Sequence, residues 1–243
     1  MRKNIYYLHF DTIDSTNTWA KKNAETLDPD HLTCITALEQ TAGRGRFKRS
    51  WTSGRAQNIT ATLFFTLPKE STILSNIGQI LSLSCALVLE KRGFSPQIKW
   101  PNDLLLSGKK VAGILCETVT LEKRLAIALG IGINVNMTEE LLETIDQPAT
   151  SLAQLSGHTW DLEQILEPVL KQFLIDLELL EKKGFSAFQE AYQARLAFAG
   201  QTITCADGMQ NTRGTCHSVR DDGRLNLLLP NGSMTTVSAG EIF

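Results

Sequence analysis

The sequence predicts an α+β fold in which a large domain of mixed strands and helices is followed by a small β-barrel. Three observations predict it. Strand-like and helix-like patterns alternate irregularly along most of the chain, and two stretches carry apolar residues at helical spacing over several turns. Beyond Ala199-Gly200 the character changes to short extended runs, separated by the hairpin signals Asp207-Gly208, Asp222-Gly223 and Asn231-Gly232. The expected domains are residues 1–196 and 197–243.

Ile5 to Phe10 reads as a first strand, and Asp14-Ser15-Thr16-Asn17 then offers side-chain oxygens to cap a helix over Trp19 to Thr26. Thr33 to Leu38 and Ile59 to Leu67 are β-branched and apolar, whereas the polar stretch between them carries Gly43, Gly45 and Gly54 and predicts a long loop. Loops of that length inside a compact domain are often lids or binding loops. Ile73, Ile77, Ile80, Leu81, Ser84, Leu87 and Val88 mark a core-packed helix that stops near Lys91-Arg92-Gly93. Leu104 to Leu106 and Val111 to Val119 form a hairpin about Ser107-Gly108. In the apolar run Leu125 to Val135, Gly130 and Gly132 predict a strand whose backbone something approaches closely. Leu162, Ile165, Leu166, Val169, Leu170, Phe173, Leu177 and Leu180 make a long amphipathic helix, continued after Gly184 by Phe185, Phe188 and Tyr192. Short runs near Ile203, Gly214 to Val219, Leu225 to Leu229 and Met234 to Val237 supply the barrel.

With 243 residues the chain can bury a sizeable core. Its net charge of −2 argues against a surface that attracts nucleic acid or anionic membrane as a whole, so any basic function is local. Cys34, Cys85, Cys116, Cys205 and Cys216 contain no Cys-x-x-Cys pair and read as reduced thiols. His9, His31, His158 and His217 are isolated, which leaves no histidine cluster for a catalytic metal. Met1-Arg2-Lys3 is followed by Tyr6, His9, Asp11 and Asp14 before any long apolar run, so neither a signal peptide nor a membrane span is visible and the expected compartment is the cytoplasm.

The segment Thr41-Ala42-Gly43-Arg44-Gly45-Arg46-Phe47-Lys48-Arg49-Ser50-Trp51 suits an anion. Glycines let backbone N–H groups face it, and guanidinium forks match carboxylate or phosphate oxygens. No acidic residue occurs from Gln40 to Lys69, while Arg44, Arg46, Lys48, Arg49 and Arg55 crowd positions 44–55. Their repulsion predicts a loop that is mobile until a polyanion orders it. A solvated basic loop or a nucleic-acid contact is the other reading. Lys99-Trp100-Pro101-Asn102-Asp103 places an amide and a carboxylate on a fixed turn, for a base edge, a hydroxyl or Mg²⁺, or else as a capped turn only. Lys109-Lys110 opens an apolar strand whose alternation turns one of the two cations inward, unless the pair lies on the surface.

Taken in order, Ser15-Thr16-Asn17, Gln40, Gly43-Arg44-Gly45-Arg46, Trp51, Lys99 to Asp103, Lys110-Val111-Ala112-Gly113-Ile114-Leu115, Gly130-Ile131-Gly132-Ile133-Asn134-Val135-Asn136 and Gly240-Glu241-Ile242 resemble the biotin protein ligases over nearly the whole chain. The resemblance implies a catalytic domain related to class II aminoacyl-tRNA synthetases, with a mixed sheet flanked by helices, and a C-terminal SH3-like β-barrel. It implies formation of biotinyl-5'-AMP from biotin and ATP with Mg²⁺, then transfer to a lysine of a biotin carboxyl carrier protein such as that of acetyl-CoA carboxylase. Membrane and nucleic acid are not expected partners, and a homodimer is left open. Family members that act as repressors begin with a helix-turn-helix domain, whereas this chain enters its first strand near residue 5, so a ligase without repressor function is expected.

Residue by residue, the resemblance implies that Lys110 and Arg46 serve at the reacting centre. Ser15, Thr16, Asn17, Gln40, Gly43, Arg44, Gly45, Arg46, Lys110 and Gly113 would surround biotin. Arg46, Arg49, Trp51, Asn102, Asp103, Lys110 and Asn134 would line the nucleotide, with Trp51 over the adenine and Asp103 assisting Mg²⁺ or orienting Lys110. One departure is Lys48, where the family loop usually carries glycine. Lipoate and octanoate transferases share the scaffold, but they typically show Arg-Arg and a glycine triplet followed by histidine, and this chain has no histidine between His31 and His158.

Overall fold

The computed structural model describes residues 5–207 and 210–243, so Met1-Arg2-Lys3 and the Gly208 of the first expected barrel turn lie outside the described residues. In chain order the elements are β1 (Ile5–Ile13), α1 (Thr16–Lys22), β2 (Leu32–Gln40), β3 (Asn58–Pro68), α2 (Ile77–Glu90), β4 (Gln97–Lys99), β5 (Asp103–Leu106), β6 (Lys109–Thr120), β7 (Arg124–Asn134), α3 (Glu139–Glu143), α4 (Leu152–Ser156), α5 (Leu162–Lys183), α6 (Gln189–Gln193), β8 (Thr202–Ala206), β9 (Asn211–Val219), β10 (Leu225–Leu228), β11 (Met234–Val237) and β12 (Glu241–Ile242). The class is α+β. Two compact units form: residues up to Thr72 with Gly108–Leu170, and Ile73–Ser107 with Lys171–Phe243.

The first unit is built on five strands in the order β1-β2-β3-β7-β6, with β1 parallel to β2 and the other pairs antiparallel. Helix α1 begins three residues before the expected Trp19, because Ser15 Oγ accepts from Thr18 N and caps the helix there. It ends early because Asn23 turns its own amide back onto Trp19 O at 2.9 Å. Ala20 and Ala24 of this segment pack against Ile35, Phe64, Ala126 and Ala128, and these small side chains bring the helix close to the sheet. Asn17 precedes Ala20 on the same buried face and is 4% exposed, so a polar group is planted on the sheet where the helix begins. Helices α3 and α4 are two elements that the residue patterns do not predict. Their caps are Thr138, accepting from Leu141 N, and Ser151, accepting from Gln154 N.

In the second unit β4 and β5 form a hairpin that pairs Lys99 with Asp103. Helix α2 starts at Ile77, after a short 3-10 turn over Leu74–Asn76, rather than at Ile73. The terminal strands form one antiparallel sheet in the order β11-β10-β9-β8-β12, and β12 is a strand the sequence did not predict. Gly223 and Gly232 turn two of its hairpins at φ +84° and +82°, in the left-handed region that favours glycine. Trp100 Nε1 and Gln79 Nε2 both donate to Gly223 O, at 2.9 and 2.7 Å, and Tyr192 OH donates to Pro101 O at 3.1 Å. The turn at residues 100–103 is thereby held from several sides.

Candidate active site

The floor of the site is the glycine pair on β7. A Cβ on Gly130 would lie 2.4 Å from Asn17 Oδ1, and one on Gly132 would lie 2.3 Å from Trp51 Cε2. These are the close approaches that the glycine spacing predicts, and the approaching groups are Asn17 and Trp51. Register builds the rest of the floor, because residues directly opposite one another on neighbouring strands share a face. Gly113 lies opposite Gly132 and Leu115 opposite Gly130 on β6, while Thr60 and Thr62 of β3 lie opposite the same two glycines.

Around Asn17 sits a buried polar cluster. Asn17 Nδ2 reaches Leu115 O at 3.2 Å, Ala128 O at 3.3 Å and Glu117 Oε2 at 3.1 Å, and its Oδ1 accepts from Thr62 Oγ1 at 2.6 Å. Thr16 Oγ1 lies 2.8 Å from Thr62 Oγ1 and 3.1 Å from Gln40 Oε1, which also accepts from Thr16 N at 2.8 Å. Ser15, Thr16 and Asn17 are at most 4% exposed. Donors and acceptors thus alternate within a few ångströms in a dry wall, an arrangement that fits a guest bearing both.

The basic loop closes on itself. Arg44 bridges Ser50 in antiparallel fashion, Gly45 N donates to Arg49 O at 2.7 Å, and Trp51 N donates to Gly43 O at 2.9 Å. A Cβ on Gly43 would meet Trp51 O at 2.5 Å, so glycine is required there by space. At the tip, Phe47 and Lys48 adopt φ +53° and +61°. The position where the resembled family carries glycine is therefore a left-handed one, and Lys48 holds it at a cost of about 1 kcal/mol or more. Arg46 lies over the Phe47 ring at 4.9 Å.

The expected self-repulsion of the loop is reduced by acids on β1, β2 and β6. Arg55 lies 3.4 Å from Glu39 and 3.9 Å from Asp11, and Arg44 lies 3.4 Å from Glu117. Glu117 also takes Lys21 Nζ at 2.6 Å. Burial by itself raises its pKa, but the hydrogen bonds from Lys21 and Asn17 and the charges of Lys21 and Arg44 prevail and hold it below the usual carboxylate value. Glu117, Thr62 and Lys21 were missed in the sequence reading. The one signal for Glu117 is an acid within an apolar strand.

Of the lysine pair, Lys109 is exposed and Lys110 half-buried. Lys110 Nζ lies 5.8 Å from the centroid of the Trp51 ring, within cation–π range. Asn134, 2% exposed, has its amide committed within the protein, accepting from Asn58 Nδ2 at 3.0 Å and donating to Thr150 O at 3.1 Å. By contrast, Trp51 Nε1, Ser53 Oγ and Gln57 Oε1 are buried with no hydrogen-bond partner among the described residues. Each such atom costs about 1–3 kcal/mol while unpaired, so a polar guest beside residues 51–57 is favoured.

The structure thus joins Thr16, Asn17, Gln40, Gly43, Arg44, Trp51, Lys110 and Gly113 along one face of the first unit, with Ser15, Gly45, Arg46 and Arg49 beside them in chain. Asn102 and Asp103 belong to the second unit, where Asn102 Nδ2 donates to Asp103 Oδ1 at 3.3 Å. Among the described residues no group of three or more His, Cys, Asp or Glu could hold a metal ion.

Residues 9–134 match the biotin/lipoate A/B protein ligase family. The bifunctional ligase/repressor BirA of Bacillus subtilis (strain 168) is 33% identical over 240 residues, covering 96% of this chain and 73% of that protein. The biotin–[acetyl-CoA-carboxylase] ligase of Paracoccus denitrificans is 32% identical over 239 residues, covering 95% of this chain and 97% of its own length. The solved structure of the biotin protein ligase from Aquifex aeolicus in complex with biotin and ATP superposes with a TM-score of 0.82 at 28% identity, covering 98% of this chain and 97% of that one.

Proposed function

The chain belongs to the biotin/lipoate A/B protein ligase family, and from that premise we propose that it is an ATP-dependent biotin protein ligase that forms biotinyl-5'-AMP and transfers biotin to a lysine of a biotin carboxyl carrier protein. The observation that carries the reading is Lys110 Nζ beside the Trp51 indole, on the same floor as the Thr16, Asn17 and Gln40 cluster. An anionic head, a flat ring and a polar bicycle would each find a matched surface.

In the first step an oxygen of biotin's carboxylate attacks the α-phosphorus of ATP. That P–O bond forms while the bond to pyrophosphate breaks. Both reactants are anions, so cations must lie between them: Lys110 would bind the carboxylate and bridging phosphate oxygens, and Arg46, with Arg49 behind it, would take the charge that shifts onto phosphate. Trp51 would cover the adenine, and Ser53 and Gln57 offer that base polar atoms. Ser15, Thr16, Asn17 and Gln40 would meet the two N–H groups and carbonyl of the ureido ring, with Gly43, Arg44, Gly45 and Gly113 giving backbone access.

Mg²⁺ normally rests on one or two carboxylates together with substrate phosphates, and a single protein carboxylate such as that of Asp103 fits that habit. Asp103 would hold it, with Asn102 oriented alongside, and the ion would supply neutralisation of the pyrophosphate charge. In the second step the acceptor lysine amine attacks the mixed anhydride carbonyl. The C–N bond forms, the C–O bond to AMP breaks, and the amine loses a proton.

The same reading gives a class II synthetase-like catalytic domain over residues 1–196 and an SH3-like barrel over 197–243, supported by the mixed sheet under α1 and the antiparallel sheet β8–β12. In the same reading the protein works in the cytoplasm, where thiols such as those of Cys34 and Cys85 stay reduced. Incubation with biotin, MgATP and a biotin carrier domain tests the whole reading: biotin transfer is expected, and no transfer, or equal transfer of lipoate, would sink it.

A further inference from the structure

We propose that Asn58 is a positioning residue for Lys110, acting through a buried relay of amides that joins the basic loop to the strand carrying the lysine. The antiparallel register pairs Asn58 of β3 with Asn134 of β7, and both are 2% exposed. Two primary amides in a dry place must satisfy one another or the backbone, and these do both in a single direction. Gly54 N donates to Asn58 Oδ1 at 3.0 Å, Asn58 Nδ2 to Asn134 Oδ1 at 3.0 Å, and Asn134 Nδ2 to Thr150 O at 3.1 Å. Because Asn58 Oδ1 is taken by the loop, its Nδ2 must face Asn134, and Asn134 in turn must face residue 150.

Residue 150 leads directly to the lysine. Thr150 N donates to Lys110 O at 2.9 Å, and Lys110 N donates to Pro148 O at 2.9 Å. Segment 148–150 therefore clamps both backbone polar groups of Lys110, whereas the pairing of β6 with β7 runs from Ala112 onward. The segment is fastened to the end of β7 by the Asn134 amide and just beyond it by Ala153 N on Val135 O at 2.8 Å. At the other end, Gly54 is three residues from Trp51, in a turn closed by Gln57 N on Gly54 O at 3.1 Å. The loop that would cover the nucleotide and the lysine that would meet its α-phosphate are thus joined by fixed donors and acceptors.

This rests on the reading of Lys110 as the residue at the reacting centre. Displacing a catalytic group by about 1 Å costs roughly 100-fold in rate. In Asn58→Asp a carboxylate still accepts from Gly54 N but puts oxygen against oxygen at Asn134, so the relay is cut in its middle. The experiment measures single-turnover formation of biotinyl-adenylate at saturating biotin and ATP, the biotin Kd by titration, and thermal stability, all on the full chain.

The expected result for Asn58→Asp is a rate lower by roughly 10- to 100-fold with the biotin Kd unchanged. The rate should recover relative to wild type as pH falls, because a protonated carboxyl again donates to Asn134. Asn58→Ser, which adds no charge, takes its place if Asn58→Asp does not fold. A wild-type rate in the folded variant overturns the relay, as does a loss shared equally by biotin binding. Lys110→Ala run in parallel separates the two claims: if it still forms adenylate, the reading of Lys110 fails first.

Discussion

The Trp51 indole occupies the space where a side chain on Gly132 would begin, with 2.3 Å between a Cβ built there and Trp51 Cε2. Gly132→Ala should expel the indole, costing about 1–3 kcal/mol in stability. It should weaken ATP more than biotin. Paired titrations of the two ligands would check this, and equal weakening would count against Trp51 as the adenine cover.

Removing the inward lysine should be the most damaging single change to the first step. Lys110→Ala is expected to lower adenylate formation by at least about 100-fold, the usual cost of losing one preorganised charge contact in a dry site. Its thermal midpoint should stay near that of wild type. Wild-type pyrophosphate exchange in this variant would show that Lys110 is misassigned.

Glu117 makes one end of the site sensitive to pH. Its folded-state pKa lies below its unfolded value, so its stabilising effect is full above the ordinary carboxylate range and is lost as pH falls through the folded value. Wild type should therefore lose stability on acidification relative to Glu117→Gln, which has no such charge to lose. Parallel melting curves from neutral to acid pH would detect the difference, and superimposable pH dependences would refute it.

Thr16 shares its hydroxyl with Gln40 and Thr62 while 4% exposed. Thr16→Val keeps the shape and removes the polar atom. Biotin affinity should fall by about 10-fold, the equivalent of about 1.4 kcal/mol and within the range for a lost buried hydrogen bond. ATP affinity should not change, and calorimetric titration of each ligand distinguishes the outcomes.

Lys48 holds a positive φ without being glycine. Lys48→Gly should be neutral or stabilising by about 1 kcal/mol at most, since relief of the left-handed strain is offset by the extra freedom of the unfolded chain. Lys48→Ala keeps the strain and should show no gain. Chemical denaturation of both variants tests the point.

Several features were legible in the sequence because their causes are local. Gly130 and Gly132 announced a close approach, Lys109-Lys110 announced one inward cation, and Asp222-Gly223 and Asn231-Gly232 punctuated the terminal strands. The short helices α3 and α4 were not legible, since five residues carry too few repeats to display a period. The predicted mobility of the loop came from counting charges in one window, where Glu117, Glu39 and Asp11 could not appear.

By itself the sequence determined the α+β class, the basic glycine loop and the set of residues that resembles the biotin ligases, because residue type and spacing fix propensity, turn geometry and charge. Only the tertiary structure decided what each group faces. Strand register set Asn58 against Asn134, so that an amide expected to lie along the nucleotide is spent inside the protein. It also brought Glu117, from a strand far along the chain, to Arg44 and Lys21. The physical reason is that hydrogen bonds and ion pairs act over a few ångströms in space, and pairing between distant strands creates those proximities while no short window of sequence contains them.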